Sequence, residues 1–224
     1  MSNEDEKPHL ILFDCDGTLT DSHGAIVNAM QHAFVSCGLL APEDKAVQGV
    51  IGLSLQAAIG MLSDDDSLHD AIAGAYRQHY LAAEGSLALY PGVVETLESL
   101  KQRGYWMAVV TGKSKRGLLR VLEQFGLEDY FYAVRTADCC LSKPHPAMAL
   151  ECMAALGADA ANTTLVGDAL FDMQMAAAAE VRSLGVSFGV ESAEALYAAG
   201  AYDVVDDFSA LLEHFPPLNM SGVE

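Results

Sequence analysis

Positive charge is scarce in this chain. Twelve Lys and Arg stand against 31 Asp and Glu in 224 residues, a formal net charge of −19. Such an acidic surface repels phosphate backbones and anionic headgroups, which argues against a nucleic-acid polymer or an anionic membrane as partner. Long apolar runs are missing as well: no segment approaches the ~20 residues that a membrane helix needs. The first residues, Met1 to Lys7, are acidic and lack the apolar stretch of a signal peptide. They read as a disordered tail over residues 1–8, with a second short tail over 216–224. The five cysteines, Cys15, Cys37, Cys139, Cys140 and Cys152, show no paired metal-ligand spacing. Their odd number fits a disulfide framework poorly. Reduced thiols and a cytoplasmic protein are the expectation. No internal repeat is present.

What is present is concentrated at residues 10–22. Leu10, Ile11, Leu12 and Phe13 make a short apolar run, as in a buried strand. The run stops at Asp14, Asp16 follows, and Gly17 lets the backbone turn. Two carboxylates at i and i+2 point the same way while strand geometry persists. Burying them together is costly unless a cation or a proton separates their charges. A metal-assisted site at a strand's C-terminal end is one reading. A strand ending in a solvated acidic turn is the plainer one.

Three further segments repeat the pattern of an apolar run ending in a polar turn. Trp106 to Val110 leads to Thr111, Gly112 and Lys113. There the hydroxyl and the free amides of the turn can donate to phosphate oxygens, or Thr111 can merely cap a helix. Ser142-Lys143-Pro144-His145-Pro146 fixes an ammonium before a helix, suited to a phosphoryl group or a carboxylate, unless Lys143 faces solvent. Thr164 to Gly167 leads to Asp168 and Asp172, two carboxylates that would otherwise complement a helix dipole.

Taken in order and spacing, these four segments resemble motifs I to IV of the haloacid dehalogenase-like superfamily, over about His9 to His214. Leu89 to Val93 and Lys143 to Pro146 are similar to its phosphoglycolate phosphatase-like branch. The alternation of strands and helices predicts an α/β fold, a doubly wound parallel sheet with ligands beyond the strand C-termini. Strands are expected near residues 10–13, 105–110, 132–136, 163–166, 181–186 and 203–205. The helical block from about residue 24 to 83 has the placement of the family's helical cap. The expected division is therefore a core of residues 9–22 and 87–215 with an inserted all-helical cap of 23–86. Hinges are expected near 21–23 and 86–90.

The resemblance implies a Mg²⁺-dependent phosphatase acting on a small phosphorylated metabolite, best matched by 2-phosphoglycolate, as a monomer or homodimer. Asp14 would be the nucleophile, forming an aspartyl phosphate, and Asp16 the general acid and base. Mg²⁺ would be held by Asp14, Asp168 and the backbone carbonyl of Asp16, with Asp172 orienting that shell. Thr111, Gly112 and Lys143 would hold the phosphoryl oxygens. Asp21 and Ser22 read as capping or hinge residues. Lys115, Arg116 and Arg120 read as a solvated helix face, and Lys113 fits either side. Gly49 to Ser54 looks like the cap's substrate loop but carries no charge. A haloacid dehalogenase or a phosphonatase would have no need of Asp16. A hexose-phosphate mutase would usually carry an Arg after Gly52, and a non-catalytic module would be expected to have lost Asp14, Asp168 or Lys143.

Overall fold

A computed structural model describes residues 7–218. In chain order the elements are β1 (Leu10–Phe13), β2 (Thr20–Asp21), α1 (His23–Ser36), α2 (Asp44–Gln48), α3 (Leu55–Leu62), α4 (His69–Ala83), β3 (Ala88–Leu89) and α5 (Val93–Gln102). There follow β4 (Trp106–Thr111), α6 (Lys115–Phe125), β5 (Ala133–Thr136), α7 (Ala147–Leu156), β6 (Thr163–Gly167), α8 (Leu170–Ala178), β7 (Arg182–Val186), α9 (Ala193–Ala198), β8 (Asp203–Val205) and α10 (Leu211–His214).

Six strands form one sheet in the order β5-β4-β1-β6-β7-β8, and every pairing is parallel. The all-apolar β1 is central and fully buried. Its alternate residues serve opposite faces, as strand geometry demands. Ile11 and Phe13 join a core with α5 and α6, while Leu10 and Leu12 join one with α7 and α8. The chain builds outward from β1 to β4 and β5, then returns to add β6, β7 and β8 on the other side. Strand order therefore reverses between β1 and β6. In open α/β sheets the crevice at such a reversal is where ligands bind. Asp14 follows β1 and Asp168 follows β6, so the two acids flank it.

Between β2 and β3 the chain is wholly helical. α1 lies along α4, and the ring pairs His32–His79 and Tyr76–Tyr80 stack there. The two-residue strands β2 and β3, which the sequence did not suggest, pair antiparallel through Thr20–Leu89 and Asp21–Ala88. This ribbon ties together the two crossings where a hinge was expected.

The described part of the expected C-terminal tail has no regular secondary structure but is tied to the core. Pro216 to Leu218 fold back on the core. Tyr105 donates its hydroxyl to Pro216 O at 2.9 Å, and Leu218 N donates to Arg103 O at 3.0 Å. The tail expected at residues 1–8 lies outside the described residues except for Lys7 and Pro8, and Lys7 pairs with Asp159 at 2.7 Å. Residues 219–224 also lie outside them.

Candidate active site

Lys143 is the centre of charge in the crevice. Its Nζ lies 2.7 Å from Asp14 Oδ1 and 2.6 Å from Asp172 Oδ1, with all three side chains buried. Asp172, in the first turn of α8, also accepts from Ala169 N at 3.1 Å through Oδ2. Asp168 accepts from the Thr18 hydroxyl and from Val190 N, each at 2.9 Å. Asp14, Asp168 and Asp172 offer oxygens that all lie within 4.8 Å of one another.

Burial drives the Asp14 carboxyl well above the usual carboxylate range; Lys143 pulls it back, while Asp172 and Asp168 push it up. Asp172 is raised for the same first reason. Burial would lower Lys143, but Asp14 and Asp172 outweigh it and hold the ammonium charged. Three buried carboxyls are gathered around one ammonium. Asp14 Oδ2 has neither a hydrogen-bond donor nor an ion-pair partner among the described residues. A lone buried carboxylate oxygen is expensive to leave so. Hard oxygen donors gathered this closely fit a divalent cation such as Mg²⁺. Glycines keep the space clear. A Cβ on Gly17 would fall 2.1 Å from Asp168 Oδ2, and one on Gly189 would fall 2.2 Å from Asp168 Cβ.

Asp16 lies apart from this cluster. Its Oδ1 accepts from Lys113 Nζ at 2.7 Å and from the Ser22 hydroxyl at 2.6 Å. Burial raises its carboxyl, but the Lys113 charge and the hydrogen bonds from Lys113 and Ser22 carry it below the ordinary range. The ligand role that the resemblance implied for Asp16 concerns its backbone carbonyl, which these side-chain bonds leave untouched. Ser22 occupies the N-cap position of α1 but makes no side-chain cap bond, so the capping expectation is replaced by its bond to Asp16.

Thr111 ends β4, buried, and its Oγ1 accepts from Lys113 N at 3.2 Å, which leaves the hydroxyl proton free to donate. At Gly112 the helical insert touches the core: a Cβ there would fall 2.2 Å from Leu53 O. The loop before α3 thus rests directly on the turn after β4. Only a glycine permits that approach.

Several residues of this site were not assigned from the sequence. Lys113 joins Asp16 to the Tyr80 hydroxyl, 2.8 Å away on α4. His23 lies 3.3 Å from Asp168 Oδ2, although a histidine in the insert reads as packing or surface. Arg120 was expected on a solvated face. It instead grips the buried Glu84 through two bonds of 2.5 and 3.0 Å. Lys115 and Arg116 are exposed, as expected, though Arg116 also borders the cavity above Asp14.

Residues 11–186 match the family model described as haloacid dehalogenase-like hydrolase. The chain belongs to this family. It is 37% identical over 211 residues to "Probable phosphatase IndB" of Dickeya dadantii, covering 91% of each chain. It is 30% identical over 213 residues to a phosphoglycolate phosphatase of Agrobacterium fabrum, covering 90% of each. Among solved structures, a hydrolase from Pseudomonas syringae superposes with a TM-score of 0.85 at 26% identity, over 93% of this chain and 97% of that one. The parallel sheet, the crevice at its reversal and the four motif segments are thus those of a haloacid dehalogenase-like hydrolase.

Proposed function

We propose that this hydrolase cleaves small phosphomonoesters through an aspartyl phosphate on Asp14, with Mg²⁺ as cofactor. The chain is a phosphoric monoester hydrolase of its family. The observation that carries the mechanism is the buried Asp14 carboxyl with one oxygen on Lys143 and the other without a partner among the described residues. Asp14, Asp168 and the Asp16 carbonyl, with Asp172 beside them, are the groups that would hold the ion. When bound, it would supply positive charge that keeps the carboxylates ionised and offsets charge on phosphoryl oxygens.

The chain's own groups account for the rest. An Asp14 oxygen attacks phosphorus, and the ester P–O bond breaks in line. Lys143 lies against Asp14 and can follow the charge onto the transferring oxygens, joined by the Thr111 hydroxyl and Gly112 N–H. Asp16 gives a proton to the departing alkoxide and then takes one from the water that hydrolyses the aspartyl phosphate. Lys113 holds Asp16 as a carboxylate at rest, the form needed as base. An arriving phosphate monoester brings negative charge and, as its monoanion, a proton, so Asp16 becomes the acid once substrate is bound.

The helical insert is read as a cap. Its loop at Leu53 lies on Gly112, and Tyr80 lies on Lys113, so it shields the site from water. Several relatives are named phosphoglycolate phosphatase, which makes 2-phosphoglycolate the reference substrate. The test is phosphate release with Mg²⁺ and with excess chelator, for the native chain and Asp14→Asn. Loss of about three orders of magnitude in the variant supports the mechanism. Near-normal turnover by a folded Asp14→Asn would sink it.

A further inference from the structure

The cavity above Asp14 is far larger than the transfer itself requires. It is a cleft of about 490 Å³, bounded by Asp14, Asp16 and Thr111 in the core and by α1, α3 and α4 in the insert. Cavities of about 300–1,000 Å³ accommodate drug-sized ligands. A two-carbon acid would leave most of this space to water, against walls formed by Ile26, Met30, Val47, Ile51 and Ala58. Covering those apolar walls with apolar ligand surface releases the water that wets them and is favourable. A more apolar leaving group fills it better.

Tyr76 gives the wall a flat surface. Its ring borders the cavity and stacks on Tyr80, with centroids 5.7 Å apart and planes within 16°. Tyr80 is held in turn by Lys113, which bonds its hydroxyl at 2.8 Å and lies 4.6 Å from its ring centroid. The cations nearby divide into two groups. Lys113 is neutralised by Asp16 and Arg120 by Glu84. Arg77 and Arg116 also border the cavity, are exposed, and make no ion pair among the described residues.

We propose that the alcohol released by this enzyme carries a planar ring, packed between the apolar wall and Tyr76, with polar edge atoms meeting Arg77 and Arg116. This rests on the phosphatase reading above. A ring face offers dispersion and stacking to Tyr76. Ring carbonyl oxygens suit guanidinium donors at the rim. Tyr76 becomes a specificity-determining residue, acting on binding of the leaving group rather than on the phosphoryl group.

The experiment compares kcat/KM with Mg²⁺ for uridine 5′-monophosphate, benzyl phosphate, hexyl phosphate, 2-phosphoglycolate and acetyl phosphate. The first four all expel a primary alkoxide, so differences among them report recognition of the alcohol. The ring esters should exceed hexyl phosphate and 2-phosphoglycolate by about tenfold, the scale of one ring stacked on an aromatic side chain. Tyr76→Ala should lower the ratio of ring ester to 2-phosphoglycolate by a similar factor, through KM. Tyr76→Leu, which keeps apolar bulk in the cap, should lower the same ratio. Turnover of acetyl phosphate with hexyl phosphate or 2-phosphoglycolate matching the ring esters would overturn this inference and leave the phosphatase standing. Inertness toward all five, acetyl phosphate included, would overturn the phosphatase reading and this one with it.

Discussion

Lys113 Nζ stands 2.7 Å from Asp16 Oδ1, and both side chains are nearly buried, at 9% and 12% exposure. Removing one partner of such a pair strands the other. Asp16 has a depressed carboxyl in the folded chain, so its contribution to stability is complete above the unfolded value of about 3.9 and is lost as pH falls through the folded value. In Lys113→Met burial prevails and Asp16 titrates upward. The variant should lose about 3 kcal/mol at pH 7. The loss should shrink near pH 4, where the stranded carboxyl is protonated. Urea unfolding at both pH values checks this, and an equal loss at each would refute it.

The buried acids at the reversal predict a cation effect on stability as well as on activity. Asp14 and Asp172 are raised, so the folded chain retains protons there that the unfolded chain releases, and stability falls as pH rises through their folded values. A divalent ion removes that penalty. At about 100 times its Kd, Mg²⁺ should stabilise the fold by about 2.7 kcal/mol. Asp168→Asn removes one of the proposed ligands and should abolish most of the shift. Thermal melts with and without Mg²⁺ measure it, and an unchanged midpoint for the native chain would remove the ion from this cluster.

Arg120 and Glu84 join α6 of the core to the turn that follows α4. Glu84 is 7% exposed and Arg120 37%, so the acid is the vulnerable partner. Arg120→Met leaves a carboxylate buried without its donors, and the expected cost is about 1–3 kcal/mol. Pairing it with Glu84→Gln should recover part of that loss. A double-mutant cycle by urea unfolding reads the coupling. Simple additivity of the two variants would show that the pair does not hold the insert to the core.

The sheet and the ends of its strands were legible because apolar runs stop abruptly at polar residues or a glycine, as at Phe13–Asp14, Val110–Thr111 and Val166–Gly167. The parallel order followed from helices separating the strands. Lys113 was not resolved because a lysine in a turn faces inward or outward according to what lies opposite, and Tyr80 is 33 residues away. Arg120 was misread for the same reason: a helix face reads as solvated until the packing of Glu84 against it is known. The β2–β3 ribbon has only two residues on each side, too few for any alternation to show. Pro216-Pro217 reads as the end of structure, yet Arg103 and Tyr105, more than a hundred residues earlier, take the carbonyls of Phe215 and Pro216.

Asp16 separates an acid/base role from a purely electrostatic one. In Asp16→Ala both chemical steps should slow, since one carboxyl serves departing alkoxide and incoming water in turn. An alkyl phosphate expels a strongly basic alkoxide and depends on the proton. An aryl phosphate expels a weakly basic phenolate and does not. The first step should therefore suffer by about 10²–10⁴-fold for alkyl esters and far less for aryl ones. Hydrolysis of the aspartyl phosphate still lacks its base, so with an aryl ester the phosphorylated chain should accumulate. Lys113 complicates the comparison, because removing Asp16 frees its ammonium beside the phosphoryl site. Asp16→Asn, which keeps the shape and a hydrogen-bond acceptor for Lys113, is the matching variant and should behave like Asp16→Ala. Alkyl and aryl phosphates are compared by phosphate release, and the covalent species is sought by intact mass. Equal losses for both leaving groups, with no phosphorylated chain trapped, would leave Asp16 as a partner of Lys113 and Ser22 only.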